Sequence, residues 1–276
     1  MARKITTKTA KDKGRSKRKA VPKRYLDKVT AGDAIKSMEG LPDECIDLVF
    51  ADPPYNLQLP KKKLVRWNRT VVDGVTEEWD KFSSFAEYDE FTRSWLTEVR
   101  RLMSPSATIW VIGTYHNIYR LGKTMQDLGF WLLNDVIWLK TNPVPNFLKV
   151  RFTNATETLI WAIKDRNAKG YHFDKALAKE YGVGKIGANV WEIPVCAGKE
   201  RLKGKDGKRL HSTQKPERLL ERIIKVSSKP GDVVLDPFAG TGTTAAVAKR
   251  LGRHYVTFER NQEYLPYLKR RLGPTP

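Results

Sequence analysis

Only two cysteines and four histidines occur among 276 residues. Cys45 and Cys196 stand far apart with no histidine beside them at a ligand spacing, so neither a disulfide framework nor a metal site can be read. Long apolar runs are missing too. No stretch approaches the roughly 18 residues needed to cross a bilayer, and the first residues hold no apolar core of about 7–15 residues such as a secretion signal requires. A cytoplasmic chain without metal or redox chemistry is expected. Acidic residues are the third shortage: 31 Asp and Glu face 51 Lys and Arg, a formal charge of +20. That imbalance calls for a polyanionic partner.

The positive charge is split between two regions. Residues 1–24 carry 11 Lys or Arg and one Asp, whereas the other 252 residues carry 40 basic and 30 acidic side chains, so each part contributes +10. The first part has almost no large apolar residue before Tyr25. It cannot bury a core and is expected to be a disordered basic tail. With 40% hydrophobic residues in the whole chain, residues 25–276 suffice for one α/β domain carrying an insertion.

Directly behind the apolar run 46–51 stands Asp52-Pro53-Pro54-Tyr55. An ionised Asp only accepts hydrogen bonds, and a proline carbonyl does so without a competing N–H, so together they can hold both protons of an exocyclic amino group. The prolines preset these acceptors by fixing φ, and Tyr55 offers a flat face to a base. The same four residues would also make a stiff turn closing a buried strand. A second motif weighs against the turn alone. Residues 232–236 read as a buried strand ending in Asp236, and Pro237, Phe238, Ala239, Gly240, Thr241, Gly242, Thr243 and Thr244 lead into the helical run 245–251. Strand, glycine turn and helix start form a nucleotide-type pocket, in which glycines admit close approach and open N–H groups face a polar or anionic group. The spacing departs from the dinucleotide G-x-G-x-x-G and lacks the Gly-Lys-Ser/Thr end of a P-loop. Glu259 closes the next strand, where a carboxylate can accept from two ribose hydroxyls. An adenosine-type cofactor fits better than a phosphate-rich one.

Both motifs resemble those of S-adenosylmethionine-dependent DNA amino-methyltransferases, residues 52–55 their catalytic motif and residues 236–243 their cofactor motif. Catalytic motif first and cofactor motif last is the permuted order of the β class. Residues 52–59, 113–117, 126–131, 142–147 and 211–216 further resemble the cell-cycle-regulated adenine methyltransferases acting on GANTC, whose longer members continue into a C-terminal domain beyond the point where this chain stops. The likeness covers about residues 25–272. It implies an α/β fold with a Rossmann-like, seven-stranded methyltransferase sheet. It implies S-adenosylmethionine as cofactor, without metal. Asp52, Pro53, Pro54 and Tyr55 become the catalytic residues, and Asp52, Asp236, Phe238, Gly240, Thr241, Gly242, Thr243 and Glu259 cofactor-binding ones. The resemblance adds Asp33, at the position that meets the cofactor adenine, with Thr213 and Lys215 beside the methionine moiety. Asp33 would equally serve as N-cap of a helix over 34–38. Ser212 stands where most relatives have Pro. Double-stranded DNA as partner, a nucleoid-associated cytoplasmic location and a homodimer follow by analogy.

Strands are expected at 28–31, 46–51, 108–112, 131–139, 157–163, 233–235 and 255–258. Phe85, Tyr88, Phe91, Trp95, Val99 and Leu102 recur at helical spacing and are assigned to the core. Three segments interrupt the pattern and are candidates for DNA contact. Residues 57–80 include Lys61, Lys62, Lys63, Arg66 and Trp67, a mix of cations and an aromatic suited to phosphates and bases. Residues 141–151 hold Asn146, Phe147 and Arg151. Residues 165–210, with Lys203 and Lys205, are expected to be the target-recognition insertion. The chemistry implied is methylation of a flipped adenine at N6, with Asp52 and Pro53 holding the N6 protons against Tyr55. Cytosine-N4 methylation uses the same grip, although such enzymes more often carry Ser at the position of Asp52. A DNA-binding relative that has lost catalysis and an RNA methyltransferase are the other readings. Cytosine-C5 chemistry fits poorly, since it commonly needs a Pro-Cys nucleophile and the cysteines here follow Glu44 and Val195.

Overall fold

Apolar side chains alternate between two cores along each central strand. In β2 (Ile46–Ala51), Ile46, Val49 and Ala51 enter one core and Leu48 and Phe50 the other, so the strand is buried along its whole length. That pattern marks a sheet covered on both faces. The computed structural model describes residues 18–57, 64–65, 71–72, 80–146, 150–204, 207–211 and 213–273. The other strands are β1 (Lys28–Ala31), β3 (Leu64–Val65), β4 (Val71–Val72), β5 (Met103–Gly113), β6 (Trp131–Lys140), β7 (Thr156–Ile163), β8 (Val190–Ile193), β9 (Val233–Asp236) and β10 (His254–Glu259). Among the described residues the main sheet has eight strands in the order β1-β10-β9-β2-β5-β7-β6-β8, and β3 pairs only with β4. β1, β10, β9, β2 and β5 run parallel, β7 is antiparallel to β5 and β6, and β8 is parallel to β6.

Helices α1 (Ala34–Glu39), α2 (Phe85–Leu102) and α3 (Ile118–Asp127) supply Met38, Trp95, Leu96, Val99, Leu121 and Met125 to one face. The opposite face is covered mainly by α5 (Glu217–Ser227), α6 (Thr243–Arg250) and α7 (Leu265–Leu272), while α4 (Lys175–Ala178) lies beside α5. A Rossmann-like α/β/α fold results, and parallel strands deliver their C-terminal ends to one edge, where such sheets bind ligands.

Four expectations need adjustment. The sheet gains an eighth strand from residues 165–210, because Trp191 packs against Trp110 and the Trp138 indole donates to the Ile193 carbonyl at 2.7 Å. β5 begins at Met103 rather than 108, its pairing with β2 shifting register between Ile46 and Leu48. Phe85 is exposed, its ring lying under the Arg120 guanidinium at 4.2 Å, and so leaves the assigned core. Residues 18–24, expected as part of the tail, lie against the body. Val21 is buried in the first core, and Arg18 pairs at 2.9 Å with buried Asp47, whose carboxylate also accepts from the Val233 amide. Residues 1–17 lie outside the described residues.

Candidate active site

Asp52 follows β2, Asp236 ends β9, and Glu259 ends β10. Since β2 pairs with β9 and β9 with β10, motifs almost two hundred residues apart become neighbours. Asp33, Asp52, Pro53, Pro54, Tyr55, Thr213, Lys215, Asp236, Phe238, Gly240, Thr241, Thr243 and Glu259 all line a single cavity of about 560 Å³. Gly242 does not line it. With φ +70°, Gly242 caps α6, and a Cβ there would meet Leu268 Cδ2 at 2.2 Å, so this glycine serves packing rather than cofactor contact.

Backbone amides of the glycine turn are partly committed within the chain. Gly240 N–H donates to Glu259 Oε2 at 2.8 Å and Asn261 N–H to Oε1 at 2.6 Å, so Glu259 locks the turn while each oxygen keeps a further lone pair. Burial lifts the Glu259 carboxyl to about 6 and Asp236 to about 7. Asp236 nevertheless accepts from Phe238 N–H at 3.0 Å. Half-buried His211 is pushed down to about 4 by desolvation, and its Nδ1 accepts from the Thr213 amide at 3.1 Å, as a neutral imidazole can. Asp33 does what an N-cap does, accepting from Lys36 N–H at 3.1 Å, and still faces the cavity.

The tetrapeptide 52–55 is clamped by residues for which no such role was expected. Asp80 accepts from the amides of Tyr55, Asn56 and Leu57 at 2.5, 2.8 and 3.0 Å, fixing the turn in which Asn56 takes φ +52°. Tyr88 O–H donates to the Pro54 carbonyl at 2.8 Å, and the Asn117 amide donates to the Tyr88 oxygen at 3.2 Å. Tyr55 O–H donates to Glu157 Oε2 at 3.0 Å, and Lys140 pairs with Glu157 Oε1 at 2.9 Å. Lys215 lies across this group: its Nζ is 2.6 Å from Asp52, 3.9 Å from Glu157 and 5.1 Å from the centre of the Tyr55 ring. Desolvation raises the Asp52 carboxyl above its ordinary range against the pull of Lys215. Desolvation alone would lower Lys215, but the carboxylates of Asp52, Glu157 and Asp236 outweigh it and keep the ammonium charged. Glu157 was visible only as an acidic residue opening an otherwise apolar strand. Asp80 carried no local signal at all.

Among the described residues, the candidate DNA-contact residues Asn146, Arg151 and Lys203 do not line the cavity. Asn146 donates to the Arg151 carbonyl at 2.7 Å, and Arg151 donates to the Tyr115 hydroxyl at 3.0 Å. Lys203 bridges to Arg209 and, with Lys199, Arg201 and Arg270, lines a second groove of about 680 Å³. Lys61, Lys62, Lys63, Arg66, Phe147 and Lys205 lie outside the described residues.

A family profile described as DNA methylase matches residues 46–270. The chain belongs to that family. Type II methyltransferase M.HinfI of Haemophilus influenzae is 51% identical over 248 residues, 90% of this chain and 68% of its own length. Type II methyltransferase M2.LlaDCHI of Lactococcus lactis subsp. cremoris is 41% identical over 255 residues, 91% and 92% of the two chains. Among solved structures, a complex of M1.HpyAVI with SAM shares 25% identity at a TM-score of 0.64, covering 90% of this chain and 99% of the other. PvuII DNA methyltransferase, cytosine-N4-specific, shares 23% at a TM-score of 0.68, covering 91% and 90%, a likeness of fold. The protein is an S-adenosylmethionine-dependent DNA methyltransferase of the N6/N4 family. The cavity of this DNA methylase suits that cofactor chemically. Five carboxylates (Asp33, Asp52, Asp80, Asp236 and Glu259) outnumber the cations Lys215 and Arg260 in its lining, matching a ligand that carries a sulfonium and an ammonium against one carboxylate. Phe50, Phe91, Phe238, Phe258 and Tyr264 supply apolar wall for its adenine.

Proposed function

We propose that this enzyme methylates adenine N6 in duplex DNA, at a GANTC-type site, after flipping the base out of the stack. The observation that carries the reading is the shared cavity wall: Asp52 and Tyr55 stand beside the Asp236–Gly240–Glu259 turn, so amine grip and cofactor cradle open into one space. Asp33, Thr213, Lys215, Asp236, Phe238, Gly240, Thr241, Thr243 and Glu259 would hold S-adenosylmethionine, which supplies an electrophilic methyl group. Asp52 and a proline carbonyl accept the two N6 protons. Tyr88 already occupies the Pro54 carbonyl, so Pro53 is assigned the second acceptor. The carboxylate then stabilises positive charge developing on nitrogen, a preorganised electrostatic effect rather than covalent catalysis. Lys215 must withdraw from Asp52 and the Tyr55 face as the base enters, and Glu157 is the acceptor toward which it can turn. An Asp at position 52 and the likeness to GANTC enzymes favour adenine over cytosine-N4. Homodimerisation, a nucleoid location, and phosphate contacts by the basic residues 1–17 and by Lys61, Lys62, Lys63, Arg66, Lys203 and Lys205 belong to the same proposal.

Asp52→Ala and Tyr55→Ala are expected to abolish methyl transfer and leave cofactor binding nearly intact, since losing a contact made in the transition state lowers the chemical step. Single-turnover assays with labelled cofactor on duplex DNA, single-stranded DNA and RNA, followed by digestion to nucleosides, test the base, the atom and the polymer together. Methylcytosine as product, or wild-type rates with Asp52→Ala, would overturn the assignment.

A further inference from the structure

Phe152 is 98% exposed, an unusual position for a large apolar side chain. Both of its chain neighbours are held: Asn146 donates through its amide side chain to the Arg151 carbonyl at 2.7 Å, and the Asn146 N–H donates to Thr153 Oγ1 at 3.4 Å. The ring is therefore presented outward by a braced loop. Neighbours reinforce an apolar ridge, with Val150 78%, Val144 64% and Tyr115 49% exposed, and Arg151 bonded to the Tyr115 hydroxyl. The ridge is tied to the catalytic group at its base. Lys140 and Glu157, at the two ends of this β6–β7 connection, pair with each other, and Glu157 accepts from Tyr55. Four residues separate Phe152 from Glu157, so the two lie within at most about 17 Å of each other, comparable with a major groove of about 12 Å.

We propose that Phe152 is the wedge that enters the duplex and fills the gap left by the flipped base, with Arg151 and Tyr115 beside it at the strand. The inference rests on the base-flipping reading above. Its occupant is duplex DNA because the chain runs from the ridge straight to Glu157, which bonds Tyr55 in the cavity wall of a DNA methylase, because the ridge carries the Arg151 guanidinium, and because the chain has a charge of +20. Apolar side chains inserted between base steps stabilise unstacked DNA in this way. The test compares Phe152→Ala and Phe152→Leu with wild type in single turnover on two duplexes containing GANTC, one fully paired and one with the target adenine facing an abasic site. Phe152→Ala should lose roughly tenfold to a hundredfold on the paired duplex. It should recover to within about threefold of wild type on the abasic one, where little unstacking remains to be done. Phe152→Leu should retain an intermediate rate. Equal rates for Phe152→Ala and wild type on the paired duplex, or the same loss on both duplexes, would overturn the wedge. A change of oligomeric state in sedimentation would assign the ridge to a second copy of the chain instead. Failure of the wild type to methylate adenine in either duplex would overturn the adenine reading and the wedge with it.

Discussion

Replacing Asp236 by Asn should stabilise the cofactor-free protein, and increasingly so as pH rises. Asp236 is buried at the end of β9, where desolvation, with Asp52 and Glu259 nearby, lifts its carboxyl from 3.8 to about 7. An acid whose folded pKa exceeds its unfolded value adds stability below the unfolded pKa, and that stability is lost as pH rises toward the folded one. The loss accumulates at about 1.4 kcal/mol per pH unit between about 4 and 7, an upper bound near 4 kcal/mol. Asparagine keeps an acceptor for the Phe238 amide and carries no charge. Urea unfolding of both proteins without cofactor should therefore show the variant's advantage widening by about 2–3 kcal/mol from pH 5 to pH 8. Parallel stability curves would refute the reasoning. Cofactor affinity should move the other way, weakening in the variant and, for wild type, as pH falls through about 7 and 6, where Asp236 and Glu259 take up protons.

Gly242→Ala should destabilise the fold by roughly 2–4 kcal/mol, combining an αL backbone with overpacking against Leu268, measurable as a lower urea midpoint. Glu157→Gln leaves half-buried Lys140 and buried Lys215 facing a neutral amide, so a loss on the order of 2–4 kcal/mol is expected. Single-turnover methylation should fall as well, because Lys215 then has only Asp52 as a charged acceptor. Unchanged stability and rate in Glu157→Gln would remove Glu157 from the site.

What could be read from the chain was what lies contiguous in it. Asp52 to Tyr55 and Asp236 to Thr243 each combine strand, turn and side chains within a few residues, so their chemistry shows locally. Glu157 reaches Tyr55 from 102 residues away and Asp80 from 25, the first through the pairing of β7 in the main sheet. No periodicity reports such contacts. The eighth strand was hidden for another reason: Val190 to Ile193 is only four residues long, set in a Lys- and Gly-rich stretch, and tertiary packing of Trp191 rather than propensity makes it a strand. Val21 escaped notice because one apolar residue among cations carries no pattern, whereas Asp47 gives Arg18 a buried anchor.

The junction of β2 and β9 has a consequence for synthesis. Asp47 and the Val233 amide it receives are separated by 186 residues, which a ribosome adding about 5–20 residues per second takes roughly 10–40 s to cover. During that interval β2 can pair with β5 on one side only, and its other edge stays open to water and to other chains. A nascent chain is therefore enzymatically silent until β9 and β10 have emerged.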